Sequence, residues 1–172
     1  GKAMTIGIVG IGGLGTMGIK IAKAAGHRVV AISTSADKEK LAKSKGADAF
    51  IISKDPESMN TEVNKMDMII DTVSADHQLA LYLPLLKHDG RIVMLGIATG
   101  LHEVSQIPLM FARKKISGSL IGGIKNTEEC LEFCAKHNIA PDCEMIEAKD
   151  ISMAWDKLCN INKDGVRYVI DI

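Results

Sequence analysis

The stretch "GIVGIGGLGTMGIKIAKAAGHRVVAISTSADK", from Gly7 to Lys38, decides the fold because it places a glycine-rich turn between an apolar strand and a helix. Three of its glycines, Gly10, Gly12 and Gly15, have the spacing G-x-G-x-x-G. In that pattern the first glycine makes a tight turn and the second lets the backbone approach a pyrophosphate. The third lets the helix pack closely on the strand. A glycine turn that serves structure alone is the alternative interpretation.

The start of the helix after this turn is a candidate phosphate site. Its first amide groups, near 14–16, would point at a phosphate along the helix dipole. No Gly-Lys-Ser/Thr sequence follows the glycines, which excludes a Walker A loop. We therefore predict that a dinucleotide binds here, held at its pyrophosphate by Gly10, Ile11, Gly12, Gly13, Leu14 and Gly15.

The second strand ends in hydroxyl groups rather than in an acid. Ser33 occupies the place where dinucleotide-binding folds usually carry an Asp or Glu for the ribose 2′-hydroxyl, and Thr34, Ser35 and Lys38 follow it. A carboxylate would repel a 2′-phosphate, whereas hydroxyls and an ammonium group would bind it by charge-assisted hydrogen bonds. The sequence therefore favours NADP over NAD. The alternative is that the hydroxyls only cap the next helix and Lys38 is solvated surface.

Apolar runs and helical stretches alternate along the rest of the chain, which predicts a parallel sheet with helices on both faces. The predicted strands are 4–10, 28–33, 49–52, 66–73, 90–96 and 114–122. The predicted helices are 14–25, 37–45, part of 56–66, 77–86 and 126–137. This is the order of an α/β Rossmann fold, a doubly wound, six-stranded parallel sheet that binds its ligand at the carboxyl ends of the strands.

Two acids and a histidine lie near the end of the fourth predicted strand. Asp71, Asp76 and His77 could carry out acid–base chemistry. The interpretation we favour is structural: Asp76 caps the helix that begins at His77, and Asp71 belongs to the network at the strand end.

The tail of the chain departs from this alternation. It contains a short extended piece, one helix at 151–160 and a last strand at 166–172. Because six strands already complete the sheet, we expect the tail to pack on something else. The predicted division is a cofactor-binding domain at 1–143 and a C-terminal segment at 144–172.

Composition excludes several classes of function. The chain has 172 residues, with 21 Lys and Arg against 21 Asp and Glu, and aromatic residues make up 3%. A balanced charge and few aromatics argue against a nucleic-acid or anionic-membrane partner. No apolar run has the length of a membrane span and the start lacks a signal-peptide pattern, so we expect a cytosolic protein. The four cysteines contain no C-x2-C pair, which predicts buried or half-buried free thiols on helices rather than a zinc site.

Motifs along nearly the whole chain resemble the zinc-dependent medium-chain dehydrogenases, and more narrowly their NADP-dependent, cinnamyl-alcohol-dehydrogenase-like branch. The stretches that carry the resemblance are "GIGGLGTMGIKIAKAAGH", "ISTS", "KGAD", "MIIDTVSA", "LLKHDGRIVMLG", "RKKISGSLIGG", "EECLEFCAKHNI" and "VRYVIDI".

The resemblance implies further site residues. Thr72, Val73 and Gly96, at the ends of strands four and five, would line the path from adenosine to nicotinamide. Ser119, Leu120 and Ile121 would hold the nicotinamide carboxamide, mostly through backbone groups. The sixth strand, near Lys115–Gly122, would pair with its twin in a homodimer.

The resemblance also implies a larger parent enzyme. Such dehydrogenases are about twice as long as this chain, and their catalytic zinc sits in an amino-terminal domain whose Cys and His-Glu motifs this sequence lacks. In that parent, zinc polarises an alcohol oxygen while hydride passes to NADP. We expect this chain, which starts at Gly1 rather than Met, to be a processed product or an excised domain that binds NADP(H) without oxidising alcohols. The alternatives are a stand-alone NADP-sensing module and a zinc-free quinone or enoyl reductase.

Overall fold

A computed structural model describes residues 2–160 and 165–172 of the chain. Six parallel strands form its main sheet, in the order β3–β2–β1–β4–β5–β6, and two more form a small parallel sheet, β7–β8. The strands are β1 Thr5–Val9, β2 Arg28–Ser33, β3 Ala49–Ile52, β4 Met66–Asp71, β5 Leu86–Met94, β6 Lys115–Gly118, β7 Cys143–Glu147 and β8 Arg167–Asp171. The order of the main sheet confirms the predicted doubly wound Rossmann topology.

Helices connect the strands. They are α1 Gly13–Ala24, α2 Glu39–Ser44, α3 Pro56–Asn60, α4 Gln106–Phe111, α5 Ile124–Lys136 and α6 Ile151–Asn160. Three 3₁₀ segments lie at Ala36–Lys38, Leu79–Leu85 and Ala148–Asp150. Among the helices in the described ranges, none is long and apolar enough to cross a membrane.

The sheet separates two apolar cores, as the near-continuous apolar strands predict. On one face, Ile8 of β1 and Val29 of β2 pack against Ile19 of α1. On the other face, Ile69 of β4 and Ile92 of β5 pack against the Leu79–Leu85 segment. With both faces covered, the strand ends are the place where such a sheet forms its binding crevice.

The helix predicted at 77–86 is wrong. A 3₁₀ helix occupies Leu79–Leu85 instead, with Pro84 inside it. Proline has no N–H group to donate to an α-helical turn, so the apolar spacing of this stretch does not produce an α-helix. Asp76 is therefore not a helix cap; its carboxylate accepts the N–H of Gly100 at 2.8 Å.

The predicted sixth strand is too long at its end. β6 stops at Gly118, so Ser119, Leu120 and Ile121 lie in the connection to α5. The amide of Ser119 still donates to the carbonyl of Met94 at 3.0 Å, which holds the first of these residues against β5.

All four cysteines are free thiols, but only Cys134 is buried. Cys130, Cys143 and Cys159 are exposed, and Cys143 begins strand β7. The expected burial is therefore wrong for these three, although Cys130 in α5 and Cys159 in α6 do lie on helices as expected.

Candidate functional site

The turn between β1 and α1 needs glycine at its first position. Gly10 has φ +87°, a conformation that L side chains rarely adopt. A Cβ atom there would lie 2.9 Å from Cγ2 of Val73 and 3.0 Å from Oγ1 of Thr72. The Gly10 amide donates to the carbonyl of Ile32 at 3.0 Å, so the turn is fixed to the end of β2.

The other two glycines of the motif have opposite surroundings. A Cβ atom on Gly15 would lie 1.8 Å from the carbonyl oxygen of Gly10, so close packing of helix on turn excludes any side chain there. A Cβ atom on Gly12, the N-cap of α1, would meet no atom of the described chain within 4 Å. The packing of the protein thus requires Gly15, whereas Gly12, as far as the described residues go, opens onto free space at a helix N-terminus. This is a cradle that a side chain would fill and a pyrophosphate fits.

A cleft of about 490 Å³ opens beside this turn, at the carboxyl ends of β1, β2 and β4. Six of the predicted site residues, Val73 among them, line it together with residues that sequence reasoning missed. The lining is Val9, Gly10, Ile11, Gly12, Ile32, Ser33, Thr34, Ser53, Lys54, Val73, Ala75, Asp76, His77 and Tyr82. Of the missed residues, Ser53 and Lys54 follow β3 and Ala75 follows β4, and their position after a predicted strand was the signal that could have found them. Asp76 and His77, the acid–base candidates of the sequence, line the cleft as well.

Tyr82 faces this cleft from the 3₁₀ segment. Burial raises the pKa of the Tyr82 phenol above its ordinary value. A hydrogen bond with Ser53 lowers this pKa in part, and the negative charge of Asp71 raises it further. The phenol therefore stays neutral at pH 7.

The tip of β2 holds the hydroxyl residues in different environments. Ser33 is buried and its Oγ accepts the amide of Ser35 at 3.3 Å, whereas Thr34 is exposed. Ser35 is the N-cap of the Ala36–Lys38 turn, and its side chain makes no capping hydrogen bond within the described ranges. The helix-cap alternative therefore lacks its hydrogen bond. Lys38 follows on the same turn, half-buried, outside the cleft lining.

Asp71 ties the end of β4 to its surroundings. Its buried carboxylate accepts the amide of Val73 at 3.1 Å and lies 2.7 Å from Nε2 of His77. Its backbone carbonyl accepts the amides of Leu95 at 2.8 Å and Gly96 at 3.1 Å. The prediction that Asp71 belongs to the network at the strand end is therefore correct. Its carboxylate makes structural contacts with Val73 and His77.

Of the residues assigned to the path toward nicotinamide, Val73 lines the first cleft, Gly96 lines a second one, and Thr72 lines neither. Thr72 donates its hydroxyl to the carbonyls of Val9 at 2.8 Å and Gly10 at 3.1 Å, and so fixes the glycine turn rather than lining either cleft. A Cβ atom on Gly96 would lie 2.1 Å from the carbonyl oxygen of Val73, so the loops after β4 and β5 touch there.

A second cleft, of about 540 Å³, lies beyond this contact. Gly96, Ser119 and Leu120 line it together with His102. Ile121, the remaining residue of the predicted carboxamide site, is 92% exposed and does not line the cleft. The structure thus brings two of the three predicted residues of this segment to one cleft.

Arg167, at the start of β8, lies against the glycine turn and was missed from the sequence. A Cβ atom on Gly13 would lie 2.3 Å from Cζ of Arg167, so the guanidinium covers the first residue of α1. Gly165 approaches Gly12 in the same way, since its own Cβ would lie 3.4 Å from the carbonyl carbon of Gly12. A guanidinium beside a helix N-terminus favours an anion at that place.

The described residues do not form a metal site. No group of three or more His, Cys, Asp or Glu side chains converges within the described ranges. The residues present therefore do not fit a zinc ion, and we assign this part of the chain no chemistry that passes through one.

Comparison with known proteins agrees with this geometry. Residues 13–136 match the zinc-binding dehydrogenase family. Cinnamyl alcohol dehydrogenase 8 of Arabidopsis thaliana is 48% identical over 172 residues, which cover 98% of this chain and 47% of that protein. Among solved structures, a cinnamyl alcohol dehydrogenase of Sorghum bicolor aligns with a TM-score of 0.93 at 36% identity, over 98% of this chain and 48% of that one.

A further solved structure holds a cofactor. The Helicobacter pylori protein CAD, complexed with NADP(H), aligns with a TM-score of 0.85 at 34% identity, over 99% of this chain and 48% of that one. This chain spans about half the length of the curated relatives it matches. Its sheet order, its glycine turn and the family match over most of its residues lead to one conclusion: the chain belongs to the zinc-binding dehydrogenase family.

Proposed function

We propose that this chain is the NADP(H)-binding domain of a zinc-type alcohol dehydrogenase, an enzyme that transfers hydride reversibly between a primary alcohol or its aldehyde and NADP. The observation that carries the proposal is the free space beside Gly12: within the described residues, no packing contact requires a glycine at this position. The helix dipole of α1 and the guanidinium beside Gly13 supply the positive charge that a pyrophosphate needs at this place.

The chain's own residues would bind and orient the cofactor. Ser33, Thr34, Ser35 and Lys38 would hold the 2′-phosphate through hydroxyl and ammonium donors. Gly96 and the segment 119–121 would orient the nicotinamide ring in the second cleft. When bound, the nicotinamide supplies or accepts the hydride. Residues outside the described chain would polarise the alcohol oxygen, so we expect no alcohol oxidation from this chain alone.

The remaining parts of the proposal concern organisation. We divide the chain into a cofactor-binding domain at 1–143 and a segment at 144–172 that returns to a catalytic domain. A homodimer through the strand edge near Lys115–Gly122 and a cytosolic location complete the proposal.

Titration of the chain with NADPH and with NADH tests the cofactor assignment. We expect NADPH to bind more tightly, and equal or tighter binding of NADH would overturn the choice of NADP. Lys38→Met should weaken NADPH at least about tenfold and leave NADH unchanged, because a charge-assisted hydrogen bond is lost. Lys40→Met is the matched control, an exposed lysine on the next helix that should change neither affinity.

Gly12→Ala tests the glycine turn itself. Since Gly12 has an extended backbone and open surroundings, alanine there should alter the free energy of unfolding by no more than about 1 kcal/mol. It should nevertheless weaken NADPH strongly, because the methyl group occupies the place of the pyrophosphate. Gly18→Ala, the same change further along α1 with an ordinary 3.4 Å approach to Ile8, should not. Unchanged NADPH affinity in Gly12→Ala would refute the proposed phosphate site.

A further inference from the structure

The carboxylate of Asp142 lies between two lysines that come from different parts of the main domain. Lys20 of α1 approaches Oδ1 at 3.2 Å, and Lys45, directly after α2, approaches Oδ2 at 2.9 Å. Lys20 also donates to the carbonyl of Ala140 at 2.7 Å. We call Lys20, Asp142 and Lys45 the lysine clamp. It fastens the segment just before β7 to α1 and to the residue that ends α2.

The lysine clamp is more sheltered than an ordinary surface ion pair. The side chains of Lys20 and Lys45 are each 19% exposed, and that of Asp142 is 33% exposed. The ion pair with Lys45, supported by Lys20, holds the pKa of Asp142 below its ordinary value against the opposing effect of burial. Loss of the carboxylate would leave two ammonium groups facing each other without their shared partner.

The backbone of the same residue connects the lysine clamp to the glycine turn. The carbonyl of Asp142 accepts the amide of Arg167 at 2.8 Å, and the next residue, Cys143, pairs with Arg167 at the start of the small sheet. The Arg167 guanidinium in turn covers Gly13. One residue therefore joins two helices of the main domain, through its side chain, to the strand that carries the arginine, through its backbone.

We propose that Asp142 is a positioning residue: the lysine clamp fixes the start of β8 so that Arg167 stands beside the N-terminus of α1, where the pyrophosphate of the cofactor lies. This inference rests on the proposed binding of NADP(H) at the glycine turn. It goes further in assigning part of the affinity to an ion cluster outside the cofactor cleft.

A double-mutant cycle on the NADPH affinity of the chain tests the proposal. Arg167→Gln removes the guanidinium and should weaken NADPH about tenfold or more. Asp142→Asn keeps the shape and removes the charge, and it should weaken NADPH about three- to tenfold. In the double variant, Asp142→Asn should add no further loss to that of Arg167→Gln, since the arginine that Asp142 positions is gone.

A second ligand separates positioning from general loosening of the fold. Adenosine 2′-monophosphate carries the 2′-phosphate but no pyrophosphate, so Arg167→Gln and Asp142→Asn should both bind it like the wild type. Lys45→Met removes one arm of the lysine clamp and should give a smaller loss for NADPH with the same selectivity. This variant keeps the test available if Asp142→Asn does not fold.

Three results would overturn the inference. They are additive losses in the double variant, a wild-type NADPH affinity in both clamp variants, or an equal loss for adenosine 2′-monophosphate. If Arg167→Gln and Asp142→Asn are without effect while the wild type binds NADPH, only this inference fails. If the wild type binds neither NADPH nor NADH, the proposed function fails and the inference fails with it.

Discussion

At the scale of single residues, the glycine motif contains two kinds of glycine. Gly15 is required by the protein, because any side chain would strike the carbonyl of Gly10. Within the described residues, no packing contact requires a glycine at Gly12, so the space beside it can hold a ligand. The motif in the sequence indicates both positions but does not say which of them serves folding, since that depends on atoms brought near by the turn.

Gly15→Ala should destabilise the fold. The added methyl group would lie 1.8 Å from a backbone oxygen that cannot move without opening the turn, so we expect a loss of about 1–3 kcal/mol in the free energy of unfolding. Urea unfolding followed by circular dichroism measures it. Gly18→Ala is the control and should unfold at an equal or higher urea concentration. Equal stability of Gly15→Ala and the wild type would contradict the packing described here.

At the residue level, the structure brings together those predicted residues whose sequence signal is local. The turn, Ser33 and Thr34 follow directly from strand and helix periodicity, and they meet in one cleft. Arg167 was missed because it contacts Gly13 from the far end of the chain, and residue spacing within a local stretch cannot predict such a contact. Lys54 was missed although it follows a predicted strand end, because only the pairing of β2 with β3 brings it to the same cleft as Thr34.

At the scale of elements, the sequence predicts β2 and β3 with their exact bounds, but it misplaces the ends of other strands. β4 stops at Asp71 and β6 at Gly118, each earlier than the apolar runs suggest. The stretch 77–86 has helical apolar spacing, yet Pro84 and the contact between His77 and Asp71 produce a loop and a 3₁₀ segment. Ends are decided by contacts with other elements, which periodicity does not contain.

The ion pair that joins β2 to the turn after α3 should contribute measurably to stability. Arg28 donates Nη2 to Oε1 of Glu62 at 2.6 Å and Nη1 to Oε2 at 2.9 Å, and the Glu62 side chain is 6% exposed. Arg28→Met would leave that carboxylate buried without its partner, so we expect a loss of about 1–3 kcal/mol in urea unfolding. Lys125→Met breaks the exposed pair with Glu129 and should cost no more than about 0.5 kcal/mol. Similar losses in the two variants would show that burial of Glu62 does not matter.

At the scale of the whole molecule, the outermost strand β6 borders a group of exposed apolar side chains. Phe111 is 85% exposed and Leu120 is 74% exposed, beside the exposed Ile121. We expect the chain to associate through this edge, with a mass in light scattering about twice the 18.5 kDa of one chain. Ile121→Lys should give the single-chain mass. Trp155→Lys, an equally drastic change on α6, should not, and a wild type that stays monomeric at high concentration would refute the dimer.

The lysine clamp also predicts how the whole molecule responds to acid. The pKa of Asp142 in the folded protein lies below its ordinary value of 3.8, chiefly because of Lys45. The charged carboxylate therefore contributes its full stabilisation when the pH is above the ordinary pKa of 3.8. This stabilisation is lost as the pH falls through the lower pKa of the folded protein. We expect the wild type to lose more unfolding free energy than Asp142→Asn between neutral pH and pH 3 in urea titrations. Parallel curves for the two proteins would contradict the assignment.

The bonds of Asp71 have a consequence for the way a ligand would enter. Its carboxylate accepts the amide of Val73, and its backbone carbonyl accepts the amides of Leu95 and Gly96. All three amides lie past the ends of their strands, where the backbone is usually mobile. The rim of the crevice is thus rigid before anything occupies it, and its amide protons should exchange slowly with solvent even in the empty protein. The loops around the crevice therefore lose little conformational entropy when a ligand binds, and we expect the ligand to enter a preorganised site without a closing movement of the protein.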